Sequence, residues 1–245
     1  MKYLALATDY DGTLATDGKV EAATLAALHR WKATGRKLIL ITGRRLDDFL
    51  SVFDHLELFD LAVVENGAVL YSPDDGTETL LGNAPPPEFI DRLRDSIQPP
   101  RVTNSVEDGA QPLTPPPDRP PLAVGKVIVA TWTPHDVTVR DLIADMGLQQ
   151  WQIIMNKSAV MILPKGIDKV TGLTAALQQL AMPAQAVVGV GDAENDTAFL
   201  QMCGLSAAVD NALDEVKAVV DWVAPEARGA GVQQLIDYVL AEDKP

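Results

Sequence analysis

The sequence predicts an α/β protein: a Rossmann-like core domain built on a parallel sheet, with a smaller α+β domain inserted into it. At both ends of the chain, short apolar runs typical of buried strands alternate with stretches of helical periodicity, which is the pattern of parallel βα units. In the middle, proline becomes frequent and strands follow one another directly, which favours antiparallel pairing. We therefore expect the core to comprise residues 1–82 and 164–245, and the insert to comprise residues 83–163.

The first part of the core predicts a parallel sheet that ends in a hairpin. Buried strands are predicted where apolar residues run together, at residues 3–7, 37–41 and 61–64. Helices are predicted where apolar residues recur every three or four positions, at residues 20–31 and 46–53. A β-hairpin is predicted from two strand-like runs, 68–71 and 79–81, on either side of the turn residues Pro73-Asp74-Asp75-Gly76.

The insert has the predicted order αββαββ, which is a small antiparallel sheet with two helices on one face. Its helices are expected at residues 87–97 and 134–146. Its strands are expected at residues 101–107, 124–132, 151–155 and 159–163. Residues 112–121 contain six prolines and cannot form regular helix or strand, because proline has a fixed φ and no N–H donor. We expect a loop there.

The last part of the core returns to the alternation of strand and helix. Its helices are expected at residues 170–180, 194–202 and 232–240. A further parallel strand is expected at residues 186–190, and short edge strands at residues 204–209 and 222–223. These strands complete the sheet that the first part of the core begins.

Two carboxylates follow the first strand, at Asp9 and Asp11. Residues two apart in a strand point to the same side, so both side chains are expected to project together where the strand ends. Two ionised carboxylates this close repel each other unless a cation lies between them or one keeps its proton. One could then act as a covalent nucleophile while the other transfers protons. The alternative is a simple turn, for which Asp11-Gly12 is a common signal.

A hydroxyl motif, Thr42-Gly43-Arg44, follows the second strand and opens a helix. A threonine hydroxyl beside the free backbone N–H groups of a helix start suits a phosphate oxygen. The alternative is an ordinary threonine N-cap. The Arg44 guanidinium could reach a substrate or pair with an acid such as Glu65.

Two more motifs lie near the end of the chain. Lys169 stands at a predicted helix start, and its position favours it over Lys165 for a role in a site. Gly191-Asp192-Ala193-Glu194-Asn195-Asp196 follows the strand at residues 186–190, and helix capping is the alternative for Asp192. Ligands of open α/β sheets bind at the carboxyl ends of the strands, so we expect these motifs to meet there.

The order of these motifs resembles the haloacid dehalogenase superfamily of phosphohydrolases, and most closely its Cof-like, sugar-phosphatase branch. Asp-x-Asp-Gly-Thr-Leu at residues 9–14 and Gly-Asp-x-x-Asn-Asp at residues 191–196 carry the resemblance together, and it covers the first 82 and last 82 residues. It implies a Mg²⁺-dependent phosphatase that acts on a small phosphate monoester, a sugar phosphate or phosphoglycolate. It also implies that the insert is a cap that sets substrate choice, although this insert is short for that branch.

The resemblance implies a role for each site residue. Asp9 would be the nucleophile that forms an aspartyl-phosphate, and Asp11 would transfer protons. The residues implied in substrate binding are Thr42, Gly43, Arg44, Lys169 and Asn195. The residues implied at the metal are Asp9, Asp11, Asp192 and Asp196, the last of which would orient Lys169 or a metal-bound water. Two alternatives stay open: a phosphotransferase or phosphomutase that uses the same intermediate, and a non-catalytic binding module.

Composition limits the classes of partner and cofactor that the protein is expected to bind. The formal net charge of −14 argues against nucleic acid, whose phosphates need a lysine- and arginine-rich surface. No run of eighteen apolar residues predicts a membrane helix, no signal-peptide pattern is evident, and the single cysteine permits no internal disulfide. We therefore expect a cytoplasmic protein, of open oligomeric state. No histidine or cysteine spacing predicts zinc, and the phosphate-binding loops of GTPases and kinases are absent.

Overall fold

The computed structural model describes residues 1–97 and 120–242, which form two compact units. One unit is Met1–Leu81 with Ile167–Pro245, and the other is Gly82–Gly166. The predicted strand at residues 101–107 and most of the proline-rich stretch at residues 112–121 lie outside the described residues.

Strands and helices alternate through most of the described chain. The strands are β1 (Ala5–Asp9), β2 (Lys37–Ile41), β3 (Leu61–Val64), β4 (Val69–Tyr71), β5 (Glu78–Leu80), β6 (Ala123–Val124), β7 (Val129–Trp132), β8 (Trp151–Asn156), β9 (Ala159–Pro164), β10 (Val187–Gly191), β11 (Leu205–Ala208) and β12 (Trp222–Val223). The helices are α1 (Ala22–Ala33), α2 (Leu46–Val52), α3 (Pro87–Ser96), α4 (Asp136–Asp145), α5 (Lys169–Gln179), α6 (Thr197–Met202), α7 (Asp214–Lys217) and α8 (Arg228–Glu242). Within residues 1–97 and 120–242, no helix has the length and apolar character needed to cross a membrane.

The first unit is organised around one eight-stranded sheet, in the order β12-β11-β10-β1-β2-β3-β4-β5. The strands from β12 to β3 run parallel, and β4 and β5 continue the sheet as an antiparallel hairpin. The four central strands β10, β1, β2 and β3 are buried over almost their whole length, as continuous apolar runs predict for strands covered on both faces. The predicted α/β fold class is confirmed.

The second unit combines α3 and α4 with a four-stranded antiparallel sheet in the order β6-β7-β9-β8. Its core is formed by apolar side chains of the helices and the sheet, among them Phe89, Leu93, Val129, Val139, Leu142, Val160 and Ile162. The prediction of one continuous strand at residues 124–132 is wrong. That segment divides into β6 and β7 because the Gly125 N–H donates to the Ile128 carbonyl at 2.8 Å and closes a turn.

The far end of the large sheet also differs from the prediction. The strand β11 is not an edge strand, since it pairs with both β10 and β12. Helix α8 begins at Arg228 rather than at residue 232, although the two glycines that follow Arg228 have low helix propensity. Gly229 meets a packing requirement, because a Cβ at this position would overlap Thr24 in α1.

Candidate active site

The order of the strands brings the predicted motifs to one edge of the sheet. Strands β10, β1, β2 and β3 are parallel neighbours, so their carboxyl ends meet on the same side. Asp9 is the last residue of β1 and pairs with Ile41 of β2. Thr42 directly follows β2, and Asp192 directly follows β10. This edge is where open α/β sheets bind their ligands.

Three carboxylates form a buried cluster at this edge. Asp9, Asp192 and Asp196 each offer a ligand atom, and these atoms lie within 4.8 Å of one another. Lys169 bridges two of them, since its Nζ donates to Asp9 Oδ1 and to Asp196 Oδ1, each at 2.6 Å. The chain thus brings together a lysine and three carboxylates from three separate motifs.

Local structure fixes the members of this cluster. Asp168 caps the start of α5 by accepting a backbone hydrogen bond at 3.0 Å, which places Lys169 at the first helical position. The Oδ2 atom of Asp196 accepts from the N–H groups of Asp192 and Ala193, at 2.9 and 3.0 Å. Ala193, and not Asp192, occupies the N-cap of the following 3₁₀ turn. Asp192 therefore does not occupy the N-cap position that was its alternative.

Gly12 allows the loop after β1 to approach Asp192. Its φ of 85° lies in the left-handed region, and a side chain at this position would overlap the Asp192 carboxylate. The neighbouring Thr13 donates from Oγ1 to Asp192 Oδ1 at 3.3 Å. The first and last motifs of the chain therefore pack directly against each other.

The cluster holds three carboxylates against one ammonium group. Burial raises the pKa of Asp9 well above its usual range, and the charges of Asp196 and Asp192 add to this effect, whereas Lys169 opposes it. Burial would lower the pKa of Lys169, yet the charges and hydrogen bonds of Asp196 and Asp9 raise it above its usual value. The lysine therefore stays charged at neutral pH. Three acidic side chains share this one ammonium group, and their ionised forms favour a further cation.

The donor set fits a divalent cation. Carboxylate oxygens are the hard ligands that Mg²⁺ prefers in proteins, and these are buried and convergent. Both Asp196 oxygens accept hydrogen bonds, one from Lys169 and the other from two backbone N–H groups. Asp196 suits a different role, in which it orients Lys169 and the Asp192 backbone.

Asp11 lies outside this carboxylate cluster and pairs with Arg44. The Arg44 Nε donates to Asp11 Oδ2 at 2.7 Å and its Nη2 donates to Asp11 Oδ1 at 2.8 Å, a bidentate pair. The Nη1 atom donates to Asp48 Oδ2 at 2.9 Å. The acids that pair with Arg44 are thus Asp11 and Asp48 rather than Glu65. Asp9 is the last residue of β1, whereas Asp11 lies beyond that strand, in an isolated bridge with Ala15.

Thr42 and Gly43 form the turn between β2 and α2. The buried Thr42 hydroxyl accepts from the Arg44 N–H at 3.2 Å and so stabilises this turn. It is not the N-cap of α2, since Arg45 occupies that position without a side-chain capping bond. The N-cap alternative for Thr42 is therefore wrong, and its hydroxyl stays at the edge where the carboxylates lie.

Asn195 contacts a residue that the sequence analysis did not assign to the site. Its Nδ2 donates to Asn66 Oδ1 at 2.8 Å, and Asn66 is fully buried in the turn after β3. The position of Asn66 could have indicated a role in the site, because its turn follows a third parallel strand at the same edge of the sheet. However, Asn-Gly also occurs in ordinary turns. Asp48 was also not assigned to the site; it lies in α2, and Arg44, with which it pairs, precedes that helix.

Comparison with known families establishes the class of this protein. The family model of haloacid dehalogenase-like hydrolases matches residues 6–109 and 138–236, which include every motif described above. The chain therefore belongs to the haloacid dehalogenase-like hydrolases. The predicted membership of this superfamily of phosphohydrolases is confirmed, and so is the prediction of an enzyme.

Individual relatives extend over nearly the whole chain. A phosphoglycolate phosphatase from Methanothermobacter thermautotrophicus is 26% identical over 234 residues, which are 95% of this chain and 96% of the relative. A haloacid dehalogenase-like hydrolase from Bacteroides thetaiotaomicron has a TM-score of 0.75 at 19% identity, over 97% of this chain and 100% of that one. A subclass IIB sugar phosphatase of the superfamily has a TM-score of 0.70 at 18% identity, over 96% and 98% of the two chains. These two structures share the fold.

Proposed function

We propose that this protein is a Mg²⁺-dependent phosphatase that hydrolyses a small phosphorylated metabolite through an aspartyl-phosphate on Asp9. The observation that supports this most directly is the buried bridge from Asp9 through Lys169 to Asp196, beside Asp192 at the ligand edge of the sheet. A carboxylate that an ammonium group holds in one orientation suits in-line attack on phosphorus. Membership of the family supports the same class of reaction.

The two aspartates of the first motif divide the chemistry in this proposal. Asp9 attacks phosphorus, the bond from phosphorus to the leaving oxygen breaks, and a carboxylate oxygen of Asp9 becomes joined to the phosphoryl group. Asp11 protonates the departing alcohol and then takes a proton from the water that hydrolyses the aspartyl-phosphate. Its side chain is 41% exposed beside Arg44, which leaves it accessible to both alcohol and water.

The other groups neutralise and hold the phosphate. Mg²⁺ bound by Asp9 and Asp192 would supply positive charge against the phosphate oxygens. Coordination of Mg²⁺ by Asp11 stays a prediction. Both oxygens of the Asp11 carboxylate accept hydrogen bonds from Arg44. Lys169 keeps Asp9 oriented and offsets its charge. The groups proposed to bind phosphate oxygens are the Thr42 hydroxyl, the Gly43 N–H and the Asn195 amide.

For the substrate we propose a sugar phosphate or phosphoglycolate. The relatives support this choice, since one is a phosphoglycolate phosphatase and one structural neighbour is a sugar phosphatase. The net charge of −14 favours a small ester over a nucleic acid. We expect the inserted unit, Gly82–Gly166, to carry the residues that select among such esters.

Phosphate release from a panel of phosphorylated metabolites tests this proposal. We expect release from a few sugar phosphates or from phosphoglycolate in Mg²⁺, and loss of that release in EDTA. An isomerised sugar phosphate without free phosphate would instead indicate a phosphomutase. No turnover of any compound by folded protein would contradict the assignment and favour a binding role.

Mg²⁺ is expected to stabilise the protein, and more so at about pH 8 than at about pH 5. Because the pKa of Asp9 is raised in the folded state, its contribution to stability falls as the pH rises through that pKa. A cation bound to the ionised cluster offsets this loss, whereas protons compete with it at low pH. At a Mg²⁺ concentration of about 100 times Kd, the gain is about 2.7 kcal/mol. Thermal melting with Mg²⁺ and with EDTA at each pH measures the difference.

A pair of matched variants controls this measurement. Asp192→Asn removes a proposed metal ligand and should abolish most of the Mg²⁺-dependent rise in melting temperature. Asp54→Asn makes the same change at an exposed position of the same unit and should leave the rise intact. Equal behaviour of the two variants would place the metal elsewhere.

A further inference from the structure

Two amides meet at the edge of the site, the buried Asn66 and the partly buried Asn195, and each has one polar atom without a hydrogen-bond partner. Asn195 Nδ2 donates to Asn66 Oδ1 at 2.8 Å. Within the described residues, neither Asn66 Nδ2 nor Asn195 Oδ1 has a hydrogen-bond partner, although both atoms are buried. Folded proteins seldom leave buried amide atoms unpaired, so this arrangement calls for a reason other than stability.

The backbone of Asn66 is fixed by its surroundings. Its N–H donates to the Thr42 carbonyl at 3.0 Å, which ties it to the hydroxyl motif. It adopts φ 56° and ψ 36°, a left-handed conformation that asparagine tolerates better than most residues. The next residue, Gly67, lies against the backbone of Asp168 and Lys169 so closely that no side chain would fit. The turn therefore contacts the segments that carry Thr42, Lys169 and Asn195.

We propose that Asn66 is a positioning residue for phosphate binding, and that it acts by orienting the amide of Asn195. An amide group is planar, so a hydrogen bond to one N–H of Asn195 fixes the direction of the second N–H. Asn66 faces Asn195 with its oxygen, which accepts the hydrogen bond from Asn195 Nδ2. The second Asn195 N–H is then oriented to donate to a phosphate oxygen. The backbone hydrogen bond from Asn66 to Thr42 links this amide to the hydroxyl motif. This inference rests on the proposed function.

The affinity for inorganic phosphate in the presence of Mg²⁺, measured by calorimetry, tests this coupling in a double-mutant cycle. Asn66→Gly removes the amide and keeps a residue that accepts the left-handed backbone. We expect Asn66→Gly and Asn195→Ala each to weaken phosphate binding by about tenfold, which is the size of one lost hydrogen bond. The double variant should bind no more weakly than Asn195→Ala alone, because Asn66 acts only through Asn195.

Ala181→Gly is the matched control for the change in backbone freedom. Ala181 also has a left-handed φ, of 50°, but it is exposed and lies after α5, away from the site. Its variant should bind phosphate as the unchanged protein does. Thermal melting of every variant separates a loss of binding from a loss of folding.

Several outcomes would overturn the inference. Losses that multiply in the double variant would show that Asn66 acts independently of Asn195. A lower melting temperature with unchanged phosphate affinity in Asn66→Gly would show a structural role alone. If the unchanged protein hydrolyses phosphate esters but the cycle shows no coupling, only this inference fails. If it neither hydrolyses an ester nor binds phosphate, the proposed function fails first and this inference falls with it.

Discussion

Asp9→Asn is expected to reduce phosphate-ester hydrolysis by a factor of about 10⁴ or more, the scale seen when a covalent nucleophile is removed. An amide oxygen can still accept the hydrogen bond from Lys169, so the size and much of the local contact are preserved. The amide is, however, a poor nucleophile and carries no charge. Steady-state rates and an acid-quench search for protein-bound phosphate measure the two consequences, and both turnover and labelling should disappear while the melting temperature changes little.

Two comparisons sharpen that experiment. Asp74→Asn is a control at an exposed position in the β4–β5 turn and should keep full activity. The Asp11→Asn variant should still form labelled protein from a substrate whose leaving group needs no proton, such as 4-nitrophenolate. The hydrolysis of its aspartyl-phosphate should, however, be slower. If Asp9→Asn keeps activity close to that of Asp74→Asn, the covalent route through Asp9 is wrong.

The large sheet was predictable because its central strands are continuous apolar runs. The predicted bounds of β2 and β3 match the structure, since each run is closed sharply by polar or turn residues. The same pattern wrongly predicted one continuous strand at residues 124–132. Gly125 and Lys126 interrupt that strand with a turn, although the apolar run continues after them. The start of α8 was not predicted because its two glycines lower the local helix propensity, and the sequence does not show that Gly229 packs against Thr24.

The site was predictable at the level of motifs and less so at the level of contacts. The order of strands decides that Asp9 and Lys169, far apart in sequence, lie at one edge of the sheet. The spacing of two carboxylates does not reveal which side chain each of them contacts, so it did not predict that Asp11 pairs with Arg44. The contact of Asn66 with Asn195 was not predicted, because a turn motif does not indicate what its side chains will contact.

Lys169→Met is expected to destabilise the metal-free protein by about 3–5 kcal/mol, the cost of leaving a buried ion pair without one partner. Methionine keeps most of the length and volume of the side chain, so the loss reports the charge and its two hydrogen bonds to Asp9 and Asp196. Thermal and urea unfolding in EDTA measure it. Mg²⁺ should restore part of the stability, because a cation replaces some of the missing positive charge.

Lys165→Met provides the matched control, since this lysine is exposed and lies only four residues earlier in the chain. Its effect on stability should stay within about 0.5 kcal/mol, as for most surface substitutions. The penalty of Lys169→Met should also shrink at about pH 5, because protonation of Asp9, whose pKa is already raised by burial, then removes a charge that the lysine no longer offsets. If the two variants are equally stable at neutral pH and at about pH 5, Lys169 does not stabilise the carboxylate cluster. The proposal that Lys169 orients Asp9 as a nucleophile would then lose its support.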